Sequence, residues 1–308
     1  MPAAPTACEA IALDVPRSRL GESPRWSGTT WWWVDAEAGE VWCSPALHAP
    51  VKQPLLALGD RVSLVHPALD GDVVIARERS IQRVVASAQG PEIASTWTTV
   101  ELPAGTVLND GIADSAGRLW IGAVGPNRRP EEGALIRVDR DGTAHVVANG
   151  FSLSNGMAWD RRTRSLLHVD SLARTIWRHR IEPDSGGVMH SEKMMQIGGE
   201  GLPDGIALDA AGGLWVAMYG LGQVRRFDPT GRMDVVVHVP TAQTTSVAIG
   251  GPDGRDLLIT TAQEGFDAAR SAAEPQAGRL FTARVQVEAV QPPKARPVLH
   301  LSSRRSGY

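Results

Sequence analysis

The feature that most constrains this chain is a turn-then-strand unit that recurs at near-constant spacing. Its clearest copies are Asp114-Ser-Ala-Gly-Arg-Leu-Trp-Ile-Gly and Asp209-Ala-Ala-Gly-Gly-Leu-Trp-Val-Ala. Weaker copies begin at Asp70, Asp160 and Asp253, and a first copy at Trp26 lacks the aspartate. The anchors at 26, 70, 114, 160, 209 and 253 lie 44, 44, 46, 49 and 44 residues apart, which makes six units. A β-sandwich whose turns merely look alike would not keep that spacing along the whole chain.

Each unit follows one grammar. An apolar stretch leads to an Asp/Gly turn, whose short side chains accept tight dihedrals. A β-branched or Trp-rich strand follows, then another, as at Ala134–Val138, Thr175–Ile181 and Gln223–Phe227. Alternation with period two and the lack of any long 3.6-residue period argue for an all-β protein. Units of about 45 residues holding four strands each are propeller blades. The expected fold is a single six-bladed β-propeller over residues 1–308 with a central metal site. Met1–Ala7, Ser302–Tyr308 and the loop Asp267–Pro275 are expected to be the least ordered parts. Ile11–Val15 and Pro297–Leu301 are expected to share a blade and close the ring, which removes exposed edges.

In a propeller the innermost strand of each blade lines the channel, and its first residues sit where the ring converges. Those positions are polar here. Glu22 lies four residues before its anchor, and Asn109, Asn155 and Asp204 lie five before theirs. Two carboxylates and a carboxamide suit a hard divalent cation, and the two negative charges would neutralise it. Ca²⁺ is the first expectation, with Mg²⁺, Mn²⁺ or Zn²⁺ as alternatives. Asx-Gly pairs are also ordinary turn formers, which is the bland reading of any one of them. Their common place in the repeat, joined by Glu22, favours a site. Aligning the third copy on Gly-Ile-Ala would put Asp110 rather than Asn109 in register, and the spacing alone leaves this open.

The remaining composition mostly excludes. A net charge of −3 with 21% charged residues offers no basic face for nucleic acid or an anionic membrane. Cys8 and Cys43 form no CxxC motif and are read as free thiols. The N-terminus lacks a basic start and carries Glu9 and Asp14, and no run approaches 18 apolar residues, so a cytoplasmic protein is expected. There is no GxSxG, P-loop or HExxH. The eight histidines are scattered, His66 and His168 being read as strand packing, and the ten tryptophans as blade packing.

Several motifs, in order along nearly the whole chain, carry a family resemblance. They are Leu20-Gly-Glu-Ser-Pro, Asn109-Asp-Gly, Ser154-Asn-Gly-Met-Ala-Trp, Pro203-Asp-Gly, Thr244-Thr-Ser-Val-Ala-Ile-Gly-Gly and Glu274-Pro-x-Ala-Gly. Together they resemble the gluconolactonase, regucalcin (senescence marker protein) and luciferin-regenerating enzyme family. The resemblance implies a six-bladed propeller with one metal, held by Glu22, Asn155 and Asp204. It implies that Asn109, not Asp110, contacts substrate near the metal. Sugar-opening relatives often carry Arg two residues before that Asn, where this chain has Val107, and their polar lid residue is replaced within Pro126-Asn-Arg-Arg.

The expected activity is therefore hydrolysis of a small-molecule lactone or ester. The cation would act as Lewis acid, Asp204 as general base, and Asn109, Val107 and Arg128 would border the substrate, with Arg129 a second lid candidate. The rival readings are a non-catalytic metal-binding propeller and a phosphotriester hydrolase using the same site. Fold alone never separates these.

Overall fold

The computed structural model describes residues 4–298. Within them six sheets follow one another along the chain, their strands in sequence order from the axis outward except that the fifth and sixth each take an N-terminal strand on the outer edge. The innermost strands are Gly21–Trp26, Val62–Pro67, Val107–Ala113, Ser154–Asp160, Leu202–Leu208 and Thr244–Gly250. Each contacts the innermost strands before and after it, the sixth returning to the first, so the ring is closed. The predicted strands Ala134–Val138, Thr175–Ile181 and Gln223–Phe227 are the third strands of blades three to five.

The hydrophobic core is divided among the seams between blades. One cluster joins Leu64 and Val74 of the second blade to Ile121 and Ile136 of the third, and another joins Leu135 and Trp120 of the third to Leu166 of the fourth. Each sheet is thus buried on both faces, which is why its strands read as continuous apolar runs. Trp31, Trp120 and Trp215 are fully enclosed in this way. A tryptophan buries roughly 150–250 Å², so each contributes roughly 4–6 kcal/mol of transfer free energy.

The repeated aspartate has a specific task. Asp114 Oδ1 accepts from the Ala116 and Arg118 amides (2.8 and 3.1 Å), closing the turn. Its Oδ2 accepts from Trp120 Nε1 at 3.0 Å and Arg118 Nε at 2.6 Å, locking the turn to the next strand. Asp209 repeats this with Ala211, Gly213 and Trp215, but its guanidinium comes from Arg226 on the third strand, at 2.6 Å. Gly213 stands where Arg118 stands in the earlier copy, and a Cβ there would lie 2.4 Å from Arg226 Nη2. The repeat keeps the interaction while moving its donor.

Ile11–Ala12 does share a blade, pairing with Phe281–Arg284 of the sixth blade, while the expected partner Pro297–Leu301 lies mostly outside the described residues. Residues 297–298 are not strand, and 299–308 lie outside the described residues. Within the expected disordered start, Thr6 and Ala7 open the strand Thr6–Glu9, which pairs in parallel with Met233–His238 of the fifth blade. The loop Asp267–Pro275 contains the helix Ala268–Ala273, capped by Asp267, whose side chain accepts from the Arg270 amide at 2.8 Å. Alanine-rich residues behind an Asp N-cap favour that helix over an open loop. Residues after the sixth blade cross the base of the ring, bridging Asp209 to Ala289 and Ala68 to Ala295.

Candidate metal and substrate site

All six innermost strands break register near their beginnings, for example between Glu22 and Arg25, Leu108 and Gly111, Ser154 and Met157, and Pro203 and Ile206. Such bulges re-aim side chains. Here they bring Glu22, Asn109, Asn155 and Asp204 to the wall of one cavity of about 300 Å³ at the upper mouth of the channel. The glycines that follow the Asx residues are therefore not turn glycines. A Cβ on Gly156 would lie 2.3 Å from the Asp204 carbonyl, and one on Gly205 1.9 Å from Ser246 Oγ. They permit neighbouring inner strands to approach closely around the axis.

Asp204 is 7% exposed, and its Oδ1 is enclosed with no hydrogen-bond donor. Burial, followed by the nearby Glu22, Asp110 and Glu264 carboxylates, raises its pKa well above the ordinary value. Glu22 is pushed up to about 8, first by burial and next by Asp110, although its own Ser23 amide donates to it at 3.2 Å. Two buried carboxyl groups with a single amide donor between them favour either protons or a cation. Asn155 adds an amide oxygen, and Asn109 Nδ2 donates to it at 3.2 Å and to the Ser154 carbonyl at 3.0 Å. Asn155 Nδ2 in turn donates to Ser171 Oγ at 3.2 Å. Among the described residues no three His, Cys, Asp or Glu side chains form a metal cluster, and the oxygens gathered here are those of two carboxyl groups and a carboxamide. Those oxygen donors fit a hard divalent ion.

Asp110 does not line the cavity. It pairs instead with the buried Arg25 of the first blade at 2.7 Å, and Arg25 also donates to the Gly111 carbonyl at 2.9 Å. Val107 does line the cavity, beside Val124, Leu153, Leu172 and Leu202. Arg128 reaches it from the lid, with φ of +53°, and pairs with Glu264 at 3.2 Å. Glu264 Oε2 also accepts from Tyr219 at 3.1 Å. Arg129 does not reach the cavity. Sequence reasoning passed over Arg61, Tyr219 and Glu264, which also line it. Arg61 sits just before the innermost strand Val62–Pro67, outside the repeat positions singled out in other blades, so the repeat carried no signal for it.

Beneath the rim, His168 Nε2 lies 2.6 Å from Ser154 Oγ in the fully buried pair that anchors the strand bearing Asn155. Burial holds His168 well below the usual histidine range and His66 at about 3. Both belong to packing, as their strand positions imply.

Relatives share this arrangement of the whole chain. Pentonolactonase XacC of Haloferax volcanii is 32% identical, the alignment covering 92% of this chain and 96% of the relative. The 6-deoxy-6-sulfogluconolactonase of Pseudomonas putida is 31% identical over 88% and 92%. A calcium-binding regucalcin from Agrobacterium tumefaciens superposes with a TM-score of 0.85 at 27% identity, covering 96% of this chain and 99% of that one. The profile of the SMP-30/gluconolactonase/LRE-like region matches residues 20–263, and by that match the chain belongs to this family.

Proposed function

We propose that the protein is a lactonase whose metal-loaded form opens the ring of a small lactone or related ester. The observation that carries this reading is Asp204 Oδ1, a buried anionic oxygen without a donor, beside Glu22 and Asn155 on the wall of an open cavity. The similarity to a pentonolactonase and a sulfogluconolactonase over most of the chain supports it. So does the cavity, whose volume of about 300 Å³ is at the lower end of small-molecule pockets. A purely metal-binding propeller would have no need of such a space beside its ligands.

Glu22, Asn155 and Asp204 would hold the divalent ion. When bound, it supplies Lewis-acid stabilisation of the charge that develops on the carbonyl oxygen. The residues do the rest. Asn109 holds the Asn155 oxygen in place through its amide. Asp204 uses the oxygen that is not enclosed to take the proton of the attacking water, as a general base. Val107 and its apolar neighbours exclude solvent from one side of the ring, and the Arg128–Glu264–Tyr219 cluster braces the mouth. No side-chain nucleophile is needed.

The test is a panel of lactones, carboxylic esters and a phosphotriester, assayed on chelated protein before and after adding Ca²⁺, Mg²⁺, Mn²⁺ or Zn²⁺. Metal-restored opening of at least one lactone is expected. Metal binding without turnover of any lactone would replace this reading with the non-catalytic one, and faster phosphotriester cleavage would reassign the substrate class.

A further inference from the structure

Arg61 enters the cavity from the second blade, beside Glu22 and Asn109. Its guanidinium is only loosely held. Its hydrogen bond to Asn109 Oδ1 spans 3.4 Å, at the long limit for such a bond, and its Nε is enclosed without an acceptor. Among the described residues no carboxylate is in direct contact with it, although its charge is felt by Glu22. Arg17, by contrast, donates to Ala277, Gln263, Ser271 and Glu274. A half-buried guanidinium with an enclosed, unpartnered Nε gains from an acceptor that arrives in the cavity.

The surrounding wall narrows what that acceptor can be. Both amide hydrogens of Asn109 are engaged with Ser154 and Asn155, so Asn109 has none to offer a ligand. Val107, Val124, Leu153 and Leu202 offer hydroxyl groups no partner. Two guanidinium groups, Arg61 and Arg128, face three carboxylates, Glu22, Asp204 and Glu264. A divalent cation turns that single negative excess into a single positive one. With a cation on Glu22 and Asp204, Arg61 would be the guanidinium left without a carboxylate, since Arg128 already has Glu264 as its partner.

We infer that Arg61 is the anion-binding residue of this cavity, and that the preferred substrate is a lactone carrying a separate carboxylate or other oxyanion on an otherwise apolar ring. The ring part of this inference rests on the lactonase reading above; the anion part rests on Arg61 itself.

The experiment compares γ-butyrolactone with its γ-carboxylate derivative on the metal-loaded full chain. The carboxylate should have the higher kcat/KM by about tenfold or more, the scale of one charged hydrogen-bonded pair. Arg61→Met should lower that ratio by about the same factor, and Arg61→Lys should keep part of it. Because both substrates are read on one preparation, partial misfolding cannot imitate the change. A wild-type ratio near one, or a ratio unchanged in Arg61→Met, overturns the inference while leaving the lactonase reading intact. If neither lactone is opened, that reading fails, and calorimetry with tetrahydrofuran-2-carboxylate, which has no bond to hydrolyse, decides the anion claim alone. Binding at least about tenfold weaker in Arg61→Met supports it; equal binding, or none to the wild type, overturns it.

Discussion

Asp209 and Asp204 lie five residues apart in one blade, are 2% and 7% exposed, and have opposite fates. Asp209 receives two backbone amides, an indole N–H and a guanidinium, so both of its oxygens are satisfied. Asp204 Oδ1 receives nothing, and its nearest charged neighbours push its proton affinity up. Burial is therefore not what marks a functional carboxylate in this fold. The mark is burial without donors, a cost that nothing in the protein itself offsets and that a cation or a proton would.

The largest effect should separate the two aspartates directly. Asp204→Asn keeps shape but removes the base, and should lower turnover about 10²–10⁴-fold with little change in melting temperature. A loss below threefold at saturating metal would remove Asp204 from that role. Asp110, tied to Arg25, offers no ready substitute. Asp209→Asn should do the reverse. Leaving Arg226 short of its buried partner should cost about 3–5 kcal/mol in urea unfolding, partly relieved because Arg226 also donates to Asp234 at 2.5 Å. Equal stability loss in both variants would erase the contrast.

The donor set sharpens it next. Glu22→Gln and Asn155→Ala should each weaken divalent-ion binding in calorimetry by about tenfold to a hundredfold, the scale on which even outer-shell partners act. Full affinity retained in both would dissolve the site.

Histidines supply a third kind of unpaired buried group, smaller in effect. His66 Nδ1 and His179 Nε2 are enclosed without partners, and burial lowers these residues to about 3 and about 4. Their folded values lie below the unfolded one near 6.5, so the unfolded chain binds protons first as pH falls. Stability is full above about pH 6.5 and declines toward pH 4, by about 2 kcal/mol for each of the two at pH 5. Urea unfolding at pH 7 and pH 5 measures this. A flat profile would show that these rings find donors or water after all.

The smallest effect concerns the apolar side of the cavity. Val107 offers no partner to sugar hydroxyls, each of which loses roughly 1–3 kcal/mol when buried unpaired. A plain aliphatic lactone should therefore have a kcat/KM at least equal to that of gluconolactone of the same ring size, after correction for spontaneous hydrolysis. A tenfold advantage for gluconolactone would show that Val107 does not set the preference and that polar groups such as Arg128 do.

Much of this was legible in the chain. Six turn-and-strand units specify blades because each unit has two apolar faces and can bury them only against copies of itself. The positions of Glu22, Asn155 and Asp204 follow from the same register, since equivalent positions in a ring point at one axis. The backbone closures of the Asp114 and Asp209 turns are equally local, their amide donors lying within four residues.

What the tertiary structure alone decided lies between units. Asn109 and Asp110 are adjacent in sequence, and only the bulge at the start of their strand turns one to the cavity and the other to Arg25, 85 residues away. Arg61, Tyr219 and Glu264 belong to different blades and meet only when the ring closes. Ile11–Ala12 pairs with Phe281–Arg284, at the far end of the chain, by the same logic. Repeat periodicity determines what each blade is, because it reports local burial; which side chains face one another across the channel depends on contacts of high sequence separation, which carry no periodic trace.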